Sequence, residues 1–182
     1  MELGEKEPAQ VSNFGLYPDP FLKTPPAGGG IIAIRELLPV YNPSSRSREL
    51  SFGGIALWIR SDVAAAQFPH VNIPFLAACA SNDATHQPVL KRGEWIIIDT
   101  SRRNLFEGVG AIRMENDVMV RGMHLCDPVV EPLTYMIGSK KRPPGEGPIR
   151  LTNSQLGGAI DLLGEVVYGG RLGADGGAMR SS

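Results

Sequence analysis

The stretch SNDATHQPVLKRGEWIIIDTS, residues 81–101, concentrates the groups in this chain that could do chemistry. Two hydroxyls, Ser81 and Thr85, stand near a carboxylate, Asp83, an imidazole, His86, and a carboxamide, Gln87. A hydroxyl becomes a nucleophile when a base takes its proton, so the question is which base reaches it. His86 is the nearest candidate, because an imidazole titrates near neutrality. On an extended strand, adjacent side chains face opposite ways, which turns His86 away from Thr85. His86 then reads as a solvated or loop-packing histidine. Asp83, His86, His124 and Asp127 offer metal-type donors, but their spacing matches no usual zinc pattern. No metal and no other cofactor is expected. Lys140, Lys141 and Arg142 form a short basic run inside GSKKRPPGEGP, read as a solvated loop before a phosphate site.

The elements that must position these groups read as short and mostly extended. Residues 94–99, EWIIID, are the strongest strand candidate, and 75–80, FLAACA, is another. GAIRM (110–114) and VMVRGM (118–123) flank a turn centred on Asn116–Asp117, a β-hairpin signal. TYMI (134–137), residues 149–151 and LGEVVY (163–168) add strands. Residues 31–41, IIAIRELLPVY, and 52–59, FGGIALWI, are open between strand and short helix, while 62–68, DVAAAQF, suits one or two helical turns. Trp58 and Trp95 read as core or interface aromatics. Many short strands with Gly/Pro turns predict a mostly β domain, a barrel or sandwich with hairpins.

Three regions follow. Residues 1–30 read as a flexible Pro/Gly-rich linker or arm, with Phe14, Leu16, Tyr17, Phe21 and Leu22 as apolar anchors. Residues 31–171 form the β domain, and 172–182 a mobile tail. The chain's 182 residues suit one domain with flexible ends, and 42% hydrophobic content is ordinary for a soluble protein. A net charge of −1 argues against a nucleic-acid surface on this chain. The start carries no signal-peptide pattern and no apolar run reaches spanning length, so a cytoplasmic protein is expected. Cys79 and Cys126 make neither a disulfide framework nor a metal pattern and read as two reduced core thiols.

The order of these pieces resembles the C-terminal domain of the LexA/phage-repressor family, the S24 self-cleaving serine peptidases. LPVYNPSS resembles that family's opening strand and loop. DATHQPVLKRGEWIIIDTS resembles its GDSMEPTL stretch, Gly-Asp turn and strand ending in Asp. VMVRGM resembles the strand carrying the catalytic lysine, and LLGEVVYGGR the closing strand. The likeness covers residues 38–171.

In the family, a serine attacks an Ala–Gly bond of the protein's own linker and a neutral lysine takes its proton. With the match anchored on Pro88, the motif's Gly, Asp, Ser, Met and Glu fall on Asp83, Ala84, Thr85, His86 and Gln87. The resemblance therefore places Thr85 at the serine and Arg121 at the lysine, with Asp83, His86 and Gln87 as groove residues. Threonine keeps a hydroxyl but adds a crowding methyl. Arginine stays protonated and cannot accept the proton. It could instead pair with Asp83 or bond carbonyls in the old groove. The loop NPSSRSR lacks Ala–Gly, and Ala27–Gly28 precedes the matched region.

These departures imply a non-cleaving member: an oligomerisation or regulatory domain of a phage-type or bacterial transcriptional regulator, with no catalytic residue. The expected partners are a second copy, a full-length repressor or another regulator protein, with no membrane. DNA would be read through a separate helix-turn-helix domain absent from this chain. The rival expectation is a self-cleaving or trans-acting peptidase using Thr85 or Ser81. A third is a phage or host interaction protein that uses the fold to block a partner.

Overall fold

The computed structural model describes residues 21–22, 24–38, 49–82, 93–138 and 149–169. Nine strands dominate it: β1 (Ile31–Leu38), β2 (Ser51–Arg60), β3 (Leu76–Ala80), β4 (Trp95–Asp99), β5 (Gly108–Met114), β6 (Asp117–Leu125), β7 (Thr134–Gly138), β8 (Ile149–Thr152) and β9 (Ile160–Gly169). One helix, α1 (Ser61–Gln67), and two single 3-10 turns complete the described elements. The chain is mostly β, as its short strand signals predict.

The strands form a single sheet in the order β2-β1-β3-β4-β9-β5-β6-β7-β8. All neighbours are antiparallel except β1 and β3. The run WIII of β4 is apolar throughout because both its faces are covered, and Asp99 closes the strand. Ile96 and Ile98 join one core cluster while Ile97 joins another. LAACA in β3 divides in the same way, with Ala77 and Cys79 on one face and Leu76 and Ala78 on the other. β6 is covered more unevenly and alternates visibly, Val118 and Val120 being buried.

The central cluster gathers Leu37, Ala77, Cys79, Ile96, Ile98, Ala111, Val118, Val120, Leu163 and Val166 from six strands. Those strands curl about it. Beyond the end of β3, the Asn82 N–H donates to the Val118 carbonyl of β6 at 2.8 Å. This contact brings the two ends of the run β3-β4-β9-β5-β6 together around one core. The curl needs a close approach at Gly164 of β9, where a Cβ would lie 2.3 Å from the Asp99 carbonyl oxygen. Two further clusters lie on outer faces. One sits under α1 and β2, the other between β5, β7 and β8.

Several sequence expectations are sharpened or corrected. The two ambiguous segments are strands, β1 and β2. In β2 the adjacent glycines Gly53 and Gly54 disfavour a helix, and pairing with β1 fixes the extended form. The hairpin turn is Glu115–Asn116, one residue earlier than expected, with Glu115 at φ 55°. Asp117 already pairs with Met114, so it belongs to β6. β9 begins at Ile160. Cys79 is buried, but Cys126 is exposed and so is not a core thiol, because it follows the last paired residues of β6. Within the segment read as a linker or arm, Phe21 is buried and Leu22 forms an isolated bridge with Trp58 of β2.

Candidate functional site

Asn82 and Gly93 are the described residues that flank the segment matched to the family's nucleophile. Its stem is tightly bonded. The Ser81 N–H donates to the Glu94 carbonyl at 2.9 Å, and the Gly93 N–H donates to the Ser81 carbonyl at 2.6 Å. Ser81 itself is fully buried. Asn82 is exposed and ties the stem to β6 twice, through its N–H to Val118 and through Nδ2 to the Asp117 carboxylate at 2.8 Å. Thr85, Asp83, His86 and Gln87 lie outside the described residues, as do Pro88 and the basic run at 140–142.

Arg121 stands on β6, three positions beyond Val118. At about 3.4 Å per residue this puts it roughly 10 Å along the strand from the loop stem. Its side chain is half-buried. One guanidinium nitrogen donates to the Val120 carbonyl at 2.9 Å, and the other lies 3.1 Å from the Met119 sulfur. The Val118 carbonyl accepts from Asn82 on the strand side away from β5. Strand alternation puts the Val120 carbonyl on that same side, so Arg121 covers the next acceptor of this edge. From Gly122 onward the same edge is taken by β7. Across β5, Arg121 faces Gly110. A guanidinium in this setting is a fixed cation and a donor, with no lone pair to accept a proton.

The other sequence candidates are dispersed. His124 is exposed on β6, opposite Met136 of β7. The Asp127 carboxylate accepts the Val129 N–H at 2.9 Å and shapes a turn. Among the described residues, no three His, Cys, Asp or Glu side chains gather as a metal site. Asp99, which ends β4, is buried and serves a local role. Its carboxylate accepts from Ser101 Oγ at 2.6 Å, the Ser101 N–H at 2.9 Å and the Asn72 N–H at 3.3 Å. Trp95 packs against the outer core, and Trp58 carries the bridge to Leu22.

Two polar groupings escaped sequence reasoning. Asp161 of β9 is buried and holds two arginines. Arg103 reaches its Oδ2 at 2.8 Å and also donates to the Leu162 carbonyl, while Arg113 lies 3.8 Å from the same oxygen. Nearby, Glu165 pairs across the sheet with Asp99 and meets Arg102 at 3.1 Å. Burial pushes the Glu165 carboxyl up, Arg102 opposes that shift, and the charge of Asp99 adds to it. The only sequence signal for the first group was a charged Asp161 and Arg113 inside otherwise apolar strand patterns.

None of the described helices is long and apolar enough to cross a membrane. No protein-family model matches this sequence, and no curated protein matches it either.

Proposed function

We propose that this chain is a non-cleaving S24-like domain, an oligomerisation and regulatory module of a phage-type or bacterial transcriptional regulator. The reading takes its fold as the LexA-like barrel, and the Asn82–Val118 contact that joins the two ends of the curled run supports it. The observation that carries the function is Arg121. At the position matched to the family's lysine, its guanidinium is occupied with a strand carbonyl and a thioether, and it is the wrong base in any protonation state available in water. Ser81 adds support, since a fully buried hydroxyl in a bonded stem is closed to a peptide substrate. The domain acts through protein–protein contacts in the cytoplasm, with a second copy or a full-length repressor as partner. DNA reading belongs to a separate helix-turn-helix domain.

The test is intact mass together with solution mass, on fresh protein and after long incubation at pH 7 and pH 10. The expected result is an uncut chain that runs as a dimer or larger. A defined fragment that disappears on substitution of Thr85 or Ser81 would replace this reading with the peptidase one. An uncut strict monomer that also ignores candidate repressors would remove the assembly role.

A further inference from the structure

β9 lies between β4 and β5 in the sheet, so the connection from β4 to β5, residues 100–107, has to pass it. Two arginines tie this strap to β9. Arg103 donates from Nε to the Leu162 carbonyl and from Nη2 to the Asp161 carboxylate, each at 2.8 Å. Arg102 meets the Glu165 carboxylate at 3.1 Å. The two ties differ in setting. The Asp161 side chain is 1% exposed, whereas Glu165 is 32% exposed and Arg102 53%. Solvent protons therefore reach the second tie and not the first.

Glu165 is placed beside a second carboxylate. Its cross-strand partner on β4 is Asp99, and partners in register project to the same face of a sheet. Asp99 accepts from Ser101 Oγ, the Ser101 N–H and the Asn72 N–H, which fix its carboxylate there. Like charges directly opposite one another are destabilising. On the β5 side the partner of Glu165 is Gly110, which brings no charge. Arg121 of β6 stands one strand further along that row, with its guanidinium on the Val120 carbonyl and the Met119 sulfur. Burial thus favours the protonated form of Glu165, Arg102 opposes it, and Asp99 adds to the burial.

Arg102 carries the contact onward. Its guanidinium carbon lies 5.7 Å from the centroid of the Phe106 ring. Phe106 in turn covers Gly108, the first residue of β5, where a Cβ would lie 2.8 Å from a ring carbon. A row of contacts runs from the Glu165 carboxylate through Arg102 and Phe106 to the start of β5.

We propose that Glu165 is a proton-operated latch on this strap: ionised, it holds Arg102 against β9, and protonated, it releases Arg102 and shifts Phe106 while Arg103 keeps the strap attached at Asp161. The latch stands apart from the regulatory reading above and does not depend on it. Its sign follows from the side that holds the proton more tightly. The native chain binds the Glu165 proton better than the unfolded chain, so native stability rises as pH falls through the native Glu165 range and levels off below the ordinary glutamate range.

The test is an NMR titration of the full chain from about pH 8 to about pH 4, a span that brackets the glutamate range. It follows the Glu165 carboxyl carbon, the Nε groups of Arg102 and Arg103, and the Phe106 ring. The Glu165, Arg102 and Phe106 signals should move together, with one midpoint above that of an ordinary glutamate, while Arg103 stays in place. Glu165→Gln, which removes the charge and keeps the shape, should hold Arg102 and Phe106 at their low-pH positions throughout and should remain folded at neutral pH. Arg102→Gln should raise the Glu165 midpoint further. A Glu165 midpoint at or below the ordinary value overturns the proposal. So do Arg102 and Phe106 signals that are the same in Glu165→Gln as in the unsubstituted chain at neutral pH. Movement of Arg103 at the shared midpoint overturns it as well, because the whole strap would then be opening.

Discussion

Arg113 and Arg121 stand on adjacent strands of one hairpin and are held in opposite ways. Arg113 is buried on the face of the central core and shares the Asp161 carboxylate with Arg103. Arg121 is half-buried on the other face, and it donates to a strand carbonyl and a thioether. In the first group, opposite charges depend on one another inside the protein. In the second, a guanidinium donates to a carbonyl and lies against a thioether of its own strand. The comparison sets a buried arginine that shares a carboxylate against a half-buried one that bonds its own strand.

Removing the shared carboxylate should have the largest effect. Asp161→Ala leaves two guanidiniums facing each other without their counter-charge, and chemical denaturation should show a loss of about 3–5 kcal/mol. A loss below about 1 kcal/mol would put both arginines in the same class and end the contrast.

The glycines beside the two regions sharpen it next. Gly164→Ala must push a methyl into the Asp99 backbone, and overpacking of that kind costs about 1–3 kcal/mol. Gly110, opposite Arg121, would meet the Met123 Cε at 2.6 Å and the Leu162 Cδ1 at 2.8 Å. Those are side-chain ends that can turn aside, so Gly110→Ala should cost less than Gly164→Ala in the same denaturation series.

Cys79 probes the core that both regions border. Burial pushes its thiol up to about 12. Native protein should therefore label with a thiol reagent at Cys126 alone near neutral pH, and at both cysteines once unfolded. The unfolded chain releases the Cys79 proton near pH 9 while the native chain keeps it. Stability should then fall by about 1.4 kcal/mol per pH unit from about pH 9 toward 12, and a Cys79→Ala chain should lack that component. Equal labelling of both cysteines in native protein would show that the core opens.

The smallest effect is expected at Arg121 itself. Arg121→Met exchanges a donor on an edge carbonyl for an apolar chain of similar length, and unfolding free energy should move by less than about 1 kcal/mol. A loss matching that of Asp161→Ala would make Arg121 as structural as Arg113.

What could be read from sequence follows from how local each signal is. WIII in β4 is apolar and β-branched over a strand's length, and the α1 residues favour a helix, so both were legible. The turn between β5 and β6 was misplaced by one residue because Asn116–Asp117 has good turn chemistry, while pairing of Met114 with Asp117 decides the register. The bond from Asn82 to Val118 is made by backbone atoms of distant residues and leaves no side-chain pattern. Arg103 meets Asp161 only because β9 inserts beside β5. Cys79 and Cys126 look alike in sequence, and one is buried only because β3 is central. Phe21 sits in an aperiodic Pro-rich stretch, where the aromatic pocket that receives it is assembled from α1 and β9. For the matched site, the sequence indicated the strand of Arg121 but not the partners of its guanidinium.

The place of β9 also bears on how the chain is made. It is the last described strand to be synthesised, yet it lies between β4 and β5, pairing Ile97 with Tyr168 on one side and Ala111 with Gly164 on the other. Until it emerges from the ribosome, both of those strands lack a neighbour and show uncovered apolar edges. Folding of this domain therefore waits on late, non-local pairing, a topology associated with slow folding and with exposure to aggregation on the way. A nascent or prematurely ended chain that stops short of β9 would be a substrate for chaperones and proteases rather than a smaller version of the same protein.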